Sequence, residues 1–203
     1  TPILSFDGMP QPITWLARRS ALDAVGGFRQ VQGLPAVDYP TLLHLCLQGR
    51  FAYTSRTLAY WRKHQGQVTN KFSGALFVGC ADFARQFYDK DIPDAVKKQL
   101  LSSVRLDNKL KRQRAFGHFR QGRCALLDGR WQEARACFRR ALGGSLYFTT
   151  AALAGYGASF LHADLEFFAK VLGKEEYRRR RRTTRVQPSL RSSRFLADSS
   201  LTL

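Results

Sequence analysis

Asp38, Arg62 and His64 are the side chains whose types and spacing best suit chemistry. Asp38 comes shortly after the break at Pro35 and just before Pro40, which suits a first helical turn. Its carboxylate is therefore expected at a helix N-terminus, where the dipole and the free amides hold it in the charged form. A carboxylate so placed either caps its helix or takes a proton from a hydroxyl. Arg62 and His64 follow a strand-like run. A guanidinium there can grip phosphate oxygens in bidentate fashion, and an imidazole can join it or help to hold a metal; the other reading is a basic loop with a surface histidine. Gly26 and Gly27 allow positive φ or close backbone approach. Trp15 and Trp61 either stack on a ring-shaped ligand or fill the core.

Other reactive patterns are weak. The four cysteines, Cys46, Cys80, Cys124 and Cys137, form no CxxC pair, which argues against structural zinc and for reduced, buried thiols. His44, His118 and His162 lack metal-ligand spacing, and there is neither a Gly-x-Ser-x-Gly nor a Gly-rich phosphate loop. Asp89-Lys90-Asp91 has the spacing of a metal-binding Asp-x-Asp but stands before a helix, away from the other candidates.

The elements that must position these residues fall into three regions. Residues 1–75 mix short β-like runs with one or two helices: a strand over 13–17, a helix over 21–25 capped by Ser20 and ended by Gly26 or Gly27, a buried helix over 41–47, and strand-like alternation through Phe51, Tyr53, Leu58 and Tyr60. Residues 76–175 read as helical, with elements over 76–88, from Pro93 through Leu101, over 115–127, 131–142, 148–161 and 164–171. Within them, Gly122, Gly129, Trp131, Ala134, Phe138 and Ala141 have the spacing of a tetratricopeptide-like hairpin over about 115–142. Such a hairpin either caps a neighbouring domain or offers a peptide-binding surface. Residues 176–203 hold Arg178, Arg179, Arg180, Arg181 and Arg182 in one run and read as a disordered basic tail.

Residues 15–70 resemble the acceptor half of family 2 glycosyltransferases. The resemblance is carried by Trp15-Leu16-Ala17-Arg18-Arg19-Ser20-Ala21-Leu22, by Val25-Gly26-Gly27-Phe28, by Asp38 opening an apolar helix, and by Tyr60-Trp61-Arg62-Lys63-His64. It implies an incomplete GT-A, α/β fragment with few strands, followed by an all-α region, so that the chain is mostly helical overall. It implies an inverting hexosyltransferase-type enzyme in which Asp38 is the base, Arg62 and His64 meet the leaving diphosphate, and Gly26, Gly27, Phe28 and Trp61 shape the acceptor site. A divalent metal, Mg or Mn, is implied for the complete enzyme, with His64 as a possible ligand. The partners implied are a nucleotide-sugar donor and a glycan, lipid-linked or protein acceptor. Several features depart from the family pattern: Val37 stands where the family has glutamate, Trp61 is an extra residue between tyrosine and arginine, and the Gln-x-x-Arg-Trp of processive synthases is missing. The family's donor-binding half, with its Asp-x-Asp, does not appear within these residues, so the chain reads as a fragment expected to be inactive alone.

Composition frames the alternatives. Of 203 residues, 44% are hydrophobic, ample for a packed core, and 33 Lys and Arg against 15 Asp and Glu give a net charge of +18. A basic surface draws polyanions. An anionic membrane met through Arg178 to Arg182 is one alternative partner; a helical protein-interaction module is another. Nucleic acid is disfavoured, because no zinc finger, RNP motif or KH-type loop is visible. No signal-peptide pattern and no run long enough to span a bilayer is present, so the expected place is cytoplasmic, peripheral on the inner membrane face at most.

Overall fold

Glycine and serine punctuate a sequence otherwise dominated by helix-period apolar stripes, and the architecture follows from that punctuation. The computed structural model describes residues 2–7, 10, 12–52, 54, 56–60 and 73–163. They form seven helices: α1 (Arg19–Ala24), α2 (Asp38–Leu45), α3 (Ser73–Lys90), α4 (Asp94–Lys97), α5 (Ser103–Leu127), α6 (Trp131–Arg140) and α7 (Leu146–Phe160). Trp61, Arg62, His64 and the tail over 176–203 lie outside the described residues.

No strand occurs among the described residues. This corrects the expected α/β, GT-A-type fragment; the mostly helical part of that expectation stands. The segment expected as a strand over 13–17 begins in a 3-10 turn, Pro12–Thr14. Pro10 and Pro12 have no N–H to give to a ladder. Phe51, Leu58 and Tyr60 alternate as a strand would, yet all three are exposed and irregular. Alternation specifies a strand only where another edge is available to pair with it, and the described residues offer none.

The helix bounds also shift from those expected, most plainly in three cases. The helix expected from Pro93 through Leu101 shrinks to the single turn α4. Ser102 then starts α5, its Oγ accepting the Arg105 N–H at 3.4 Å, twelve residues before the apolar pattern becomes regular. α2 begins at Asp38 rather than Thr41, with Pro40 in its first turn.

α5, of 25 residues and so about 37 Å long, is the spine. α3 runs antiparallel to it, and the two backbones meet at glycines. A Cβ on Gly117 would stand 2.7 Å from the Gly74 carbonyl oxygen, and one on Gly74 would stand 2.6 Å from that of Gly117. Further along the pair, Arg114 Nε meets Asp82 Oδ1 at 2.6 Å, and Arg85 bridges Asp89 and Asp107 at 2.9 and 3.1 Å. These ion pairs are part-exposed, so they fix register more than they add stability.

On its other side α5 turns back into α6. Gly129, with φ +74, lets the N–H of Arg130 reach the Ala125 carbonyl at 2.8 Å and its own N–H reach that of Leu126 at 3.1 Å, a Schellman ending. Phe138 of α6 is then held between two glycines. A Cβ on Gly122 of α5 would lie 2.9 Å from its ring, and one on Gly155 of α7 would lie 2.7 Å from Cε1. Phe77, Phe116, Phe148, Phe119 and Phe138 form a chain of ring contacts, 4.9 to 6.2 Å between centroids, that joins α3, α5, α7 and α6.

A second cluster closes the other end. Leu4, Leu34, Ala36, Tyr39 and Leu43 pack with Cys80, Ala84, Phe87, Leu106 and Leu110. Tyr39 donates its buried hydroxyl to the Leu4 carbonyl at 3.2 Å. Lys109 of α5 pairs with Asp7, and that bond, with a second from Ser5, holds the Asp7 carboxyl below its ordinary value.

The Gly74–Gly117 approach can be tested against helix propensity. Gly117→Ala is expected to lower the unfolding free energy by about 1–3 kcal/mol through overpacking, although alanine is the better helix former by about 1 kcal/mol. Gly157→Ala, whose methyl group would meet nothing within 4 Å, is expected to raise it by up to about 1 kcal/mol. Urea unfolding followed by helical circular dichroism measures both; a Gly117→Ala protein as stable as Gly157→Ala would contradict the close crossing.

Candidate functional site

Of the site residues from the sequence, Gly26, Gly27, Phe28 and Asp38 are described, and they lie on the connection between α1 and α2 or at its end. α1 ends when Gly26 donates its N–H to the Asp23 carbonyl at 3.0 Å and Gly27 donates to that of Leu22 at 2.8 Å. Both glycines have φ +79, a region closed to most side chains. Their first task is thus to end a helix. That turn aims Phe28 outward and sends Arg29 toward α2.

Three side chains that the sequence did not mark out lock this turn in place. The Arg29 N–H donates to Oγ1 of wholly buried Thr41 at 2.9 Å, and that hydroxyl donates to the Val37 carbonyl at 2.7 Å. Arg29 Nε donates to the Val25 carbonyl at 2.8 Å, and its Nη1 lies 2.8 Å from His44 Nε2. His44 Nδ1 lies 2.8 Å from the Pro40 carbonyl. A carbonyl only accepts and a guanidinium only donates, so the imidazole proton belongs on Nδ1 and Nε2 is the acceptor. The same ring meets Phe87 of α3 edge-on at 4.8 Å. His44 therefore joins the glycine turn, α2 and α3. Its spacing gave no hint of this, because its partners come from three different segments.

Asp38 is the first residue of α2 and is half-buried, whereas the residues that follow it, from Tyr39 to Leu43, are buried. Its Oδ1 accepts the N–H of Tyr39 at 2.9 Å. Burial pushes the Cys80 thiol up to about 12, and the charge of Asp38 adds to that rise, so this carboxylate acts across to α3. Phe28 is 63% exposed and tilts against Trp15 at 6.4 Å. Trp15 is half-buried, with its indole N–H covered and without a hydrogen-bond partner among the described residues. The fold thus links Gly26, Gly27 and Phe28 to the helix that Asp38 opens; Trp61, Arg62 and His64, expected to complete the site, lie outside the described residues.

The arrangement presents an ionisable oxygen at the first turn of a largely buried helix, with a glycine turn and the exposed Phe28 ring, backed by half-buried Trp15, on the segments before it. Among the described residues no group of three or more His, Cys, Asp or Glu side chains is placed to hold a metal ion. The described residues do not make up the divalent-metal site that the resemblance implies.

Two measurements follow from this geometry. Thr41→Val removes a buried acceptor and donor at almost constant volume and is expected to lower stability by about 1–3 kcal/mol, with Thr41→Ser restoring most of it; an unchanged Thr41→Val midpoint in urea would contradict the lock. The raised Cys80 value favours the folded state while the thiol is protonated in both states. That contribution is present below about pH 9 and is lost as pH climbs toward about 12. Cys80→Ala should therefore lose less stability than the parent between pH 9 and 11, read from melting curves.

A comparison of the chain with models of protein families, with curated proteins and with solved structures gives no match.

Proposed function

We propose that residues 15–70 provide the acceptor side of an inverting, non-processive glycosyltransferase. Asp38 takes the proton from an acceptor hydroxyl as that oxygen attacks the anomeric carbon of a nucleoside-diphosphate sugar. The observation that carries this reading is the placement of Asp38: a half-exposed carboxylate at the start of a helix whose next five residues are buried, accepting the N–H of Tyr39 at 2.9 Å. Because Arg29 bonds to Thr41 at 2.9 Å, the Gly26–Gly27 turn and exposed Phe28 are fixed relative to the same helix. An apolar ring face of this kind suits the C–H face of a sugar.

In this reading Arg62 and His64 carry the positive charge that stabilises the departing diphosphate. The acceptor is a glycan, a lipid-linked sugar or a protein hydroxyl, and the nucleotide is bound by a donor-binding half beyond these residues.

The test joins the chain to such a donor-binding half and measures transfer from a labelled nucleotide sugar. Asp38→Asn is expected to lower kcat by about 100-fold or more, with the KM for the donor little changed and the helical spectrum intact. Activity within a few-fold of the parent would remove Asp38 from the role of base.

A further inference from the structure

α7 is built inside out. Its small residues, Ala152, Gly155, Ala158 and Ser159, face the bundle, where Gly155 accepts the ring of Phe138. Phe148 packs inward against Phe116 and Phe119, but most of the other large residues face solvent: Leu146 is 82% exposed and Leu161, just past the helix, 80%, with Tyr147, Leu153 and Phe160 each more than half exposed. The positions 146, 150, 153, 157 and 160 are spaced by four, three, four and three residues. They therefore run as one stripe along the outer side, and Thr150 and Gly157 between them are uncharged. From 141 to 163 the chain contains no Asp, Glu, Lys or Arg, in a protein where 24% of residues are charged.

Cations border this uncharged helix at both ends. The Lys111 ammonium lies 3.7 Å from the point where a Gly143 Cβ would stand, just before α7. The Arg135 guanidinium sits over the Phe160 ring at 4.6 Å, at the other end. Arg139, one turn along α6 from Arg135 and exposed, lies on the same side of α6. The acidic residue of α6, Glu133, is occupied by Arg130.

We propose that α7 is an interfacial helix that lies in the plane of an anionic lipid surface. Leu146, Leu153, Phe160 and Leu161 enter the boundary of the acyl chains while Lys111, Arg135 and Arg139 meet the headgroup phosphates. An apolar stripe bordered by cations is the pattern such a surface selects, since burial of the stripe and attraction to the lipid charge act together. α7 has 15 residues and so is about 22 Å long, short of the roughly 30 Å of a hydrocarbon core. No described helix is long and apolar enough to cross a membrane. A second copy of the chain is the poorer occupant, because face-to-face packing of two stripes would bring two cationic borders together. This proposal stands on residues 111–161 and is independent of the sugar-transfer reading.

The test uses the full chain and sedimentation with vesicles of phosphatidylcholine alone or with added phosphatidylglycerol. Binding is expected to be at least tenfold tighter to the anionic vesicles. Leu153→Gln with Phe160→Gln, which changes no charge and alters only exposed positions, is expected to weaken that binding tenfold or more with an unchanged melting temperature. Leu153→Trp should show a blue shift of its emission on adding anionic vesicles. Parent-like binding by the double Gln variant would overturn the proposal, since charge elsewhere would then suffice. So would an absence of binding to anionic vesicles, or a dimer in sedimentation equilibrium that the double variant abolishes.

Discussion

Everything in the described bundle hangs on how closely α5 lets its neighbours approach. Where α3 crosses it, two glycines face one another and the carbonyl oxygen of each occupies the place of the other's missing side chain. No larger residue fits without moving a backbone, so the crossing leaves little freedom in axial position. The ion pairs of Arg114 with Asp82 and of Arg85 with Asp107 then follow from a register that sterics has already chosen. On the opposite side α5 again offers a glycine, and Phe138 fills the space.

That register reaches the candidate site through a short path. α3 carries Phe83 and Phe87, which support Tyr39 and His44 of α2. α2 in turn holds Arg29 through Thr41 and His44, and Arg29 fixes the exit from the glycine turn. Asp38 is positioned by a helix clamped on several sides, while the side chain itself stays at the edge of the clamp. The rigidity belongs to the scaffold and the accessibility to the carboxylate, a division that suits proton transfer.

The helices were legible wherever side-chain period alone decides. The stripe of Phe77, Cys80, Ala84 and Phe87, and the glycine, alanine and phenylalanine spacing through Phe138, specify buried helix faces from local sequence. The strands expected near 13–17 and 51–60 were misread because a strand is defined by its neighbour, which a local pattern does not contain. The start of α5 was hidden for another reason: Ser102 caps a turn whose outward residues, Arg105 and Lys109, break no rule but show no stripe. Within the site, Asp38 and the glycine turn could be picked out from residue type and order. Arg29, Thr41 and His44 could not, since each contact joins residues 12 to 43 positions apart or depends on which face of α2 is covered.

The ring of Phe138 touches a glycine that precedes it in the chain and another that follows it. During synthesis the first wall is already made when the phenylalanine emerges, and the second is still to come. In vectorial synthesis the α5–α6 pair has one aromatic face uncovered until Gly155 has emerged as well, a stage with an open apolar slot. Docking of α7 closes it, and this helix also turns most of its bulky residues, Phe148 excepted, away from the interior.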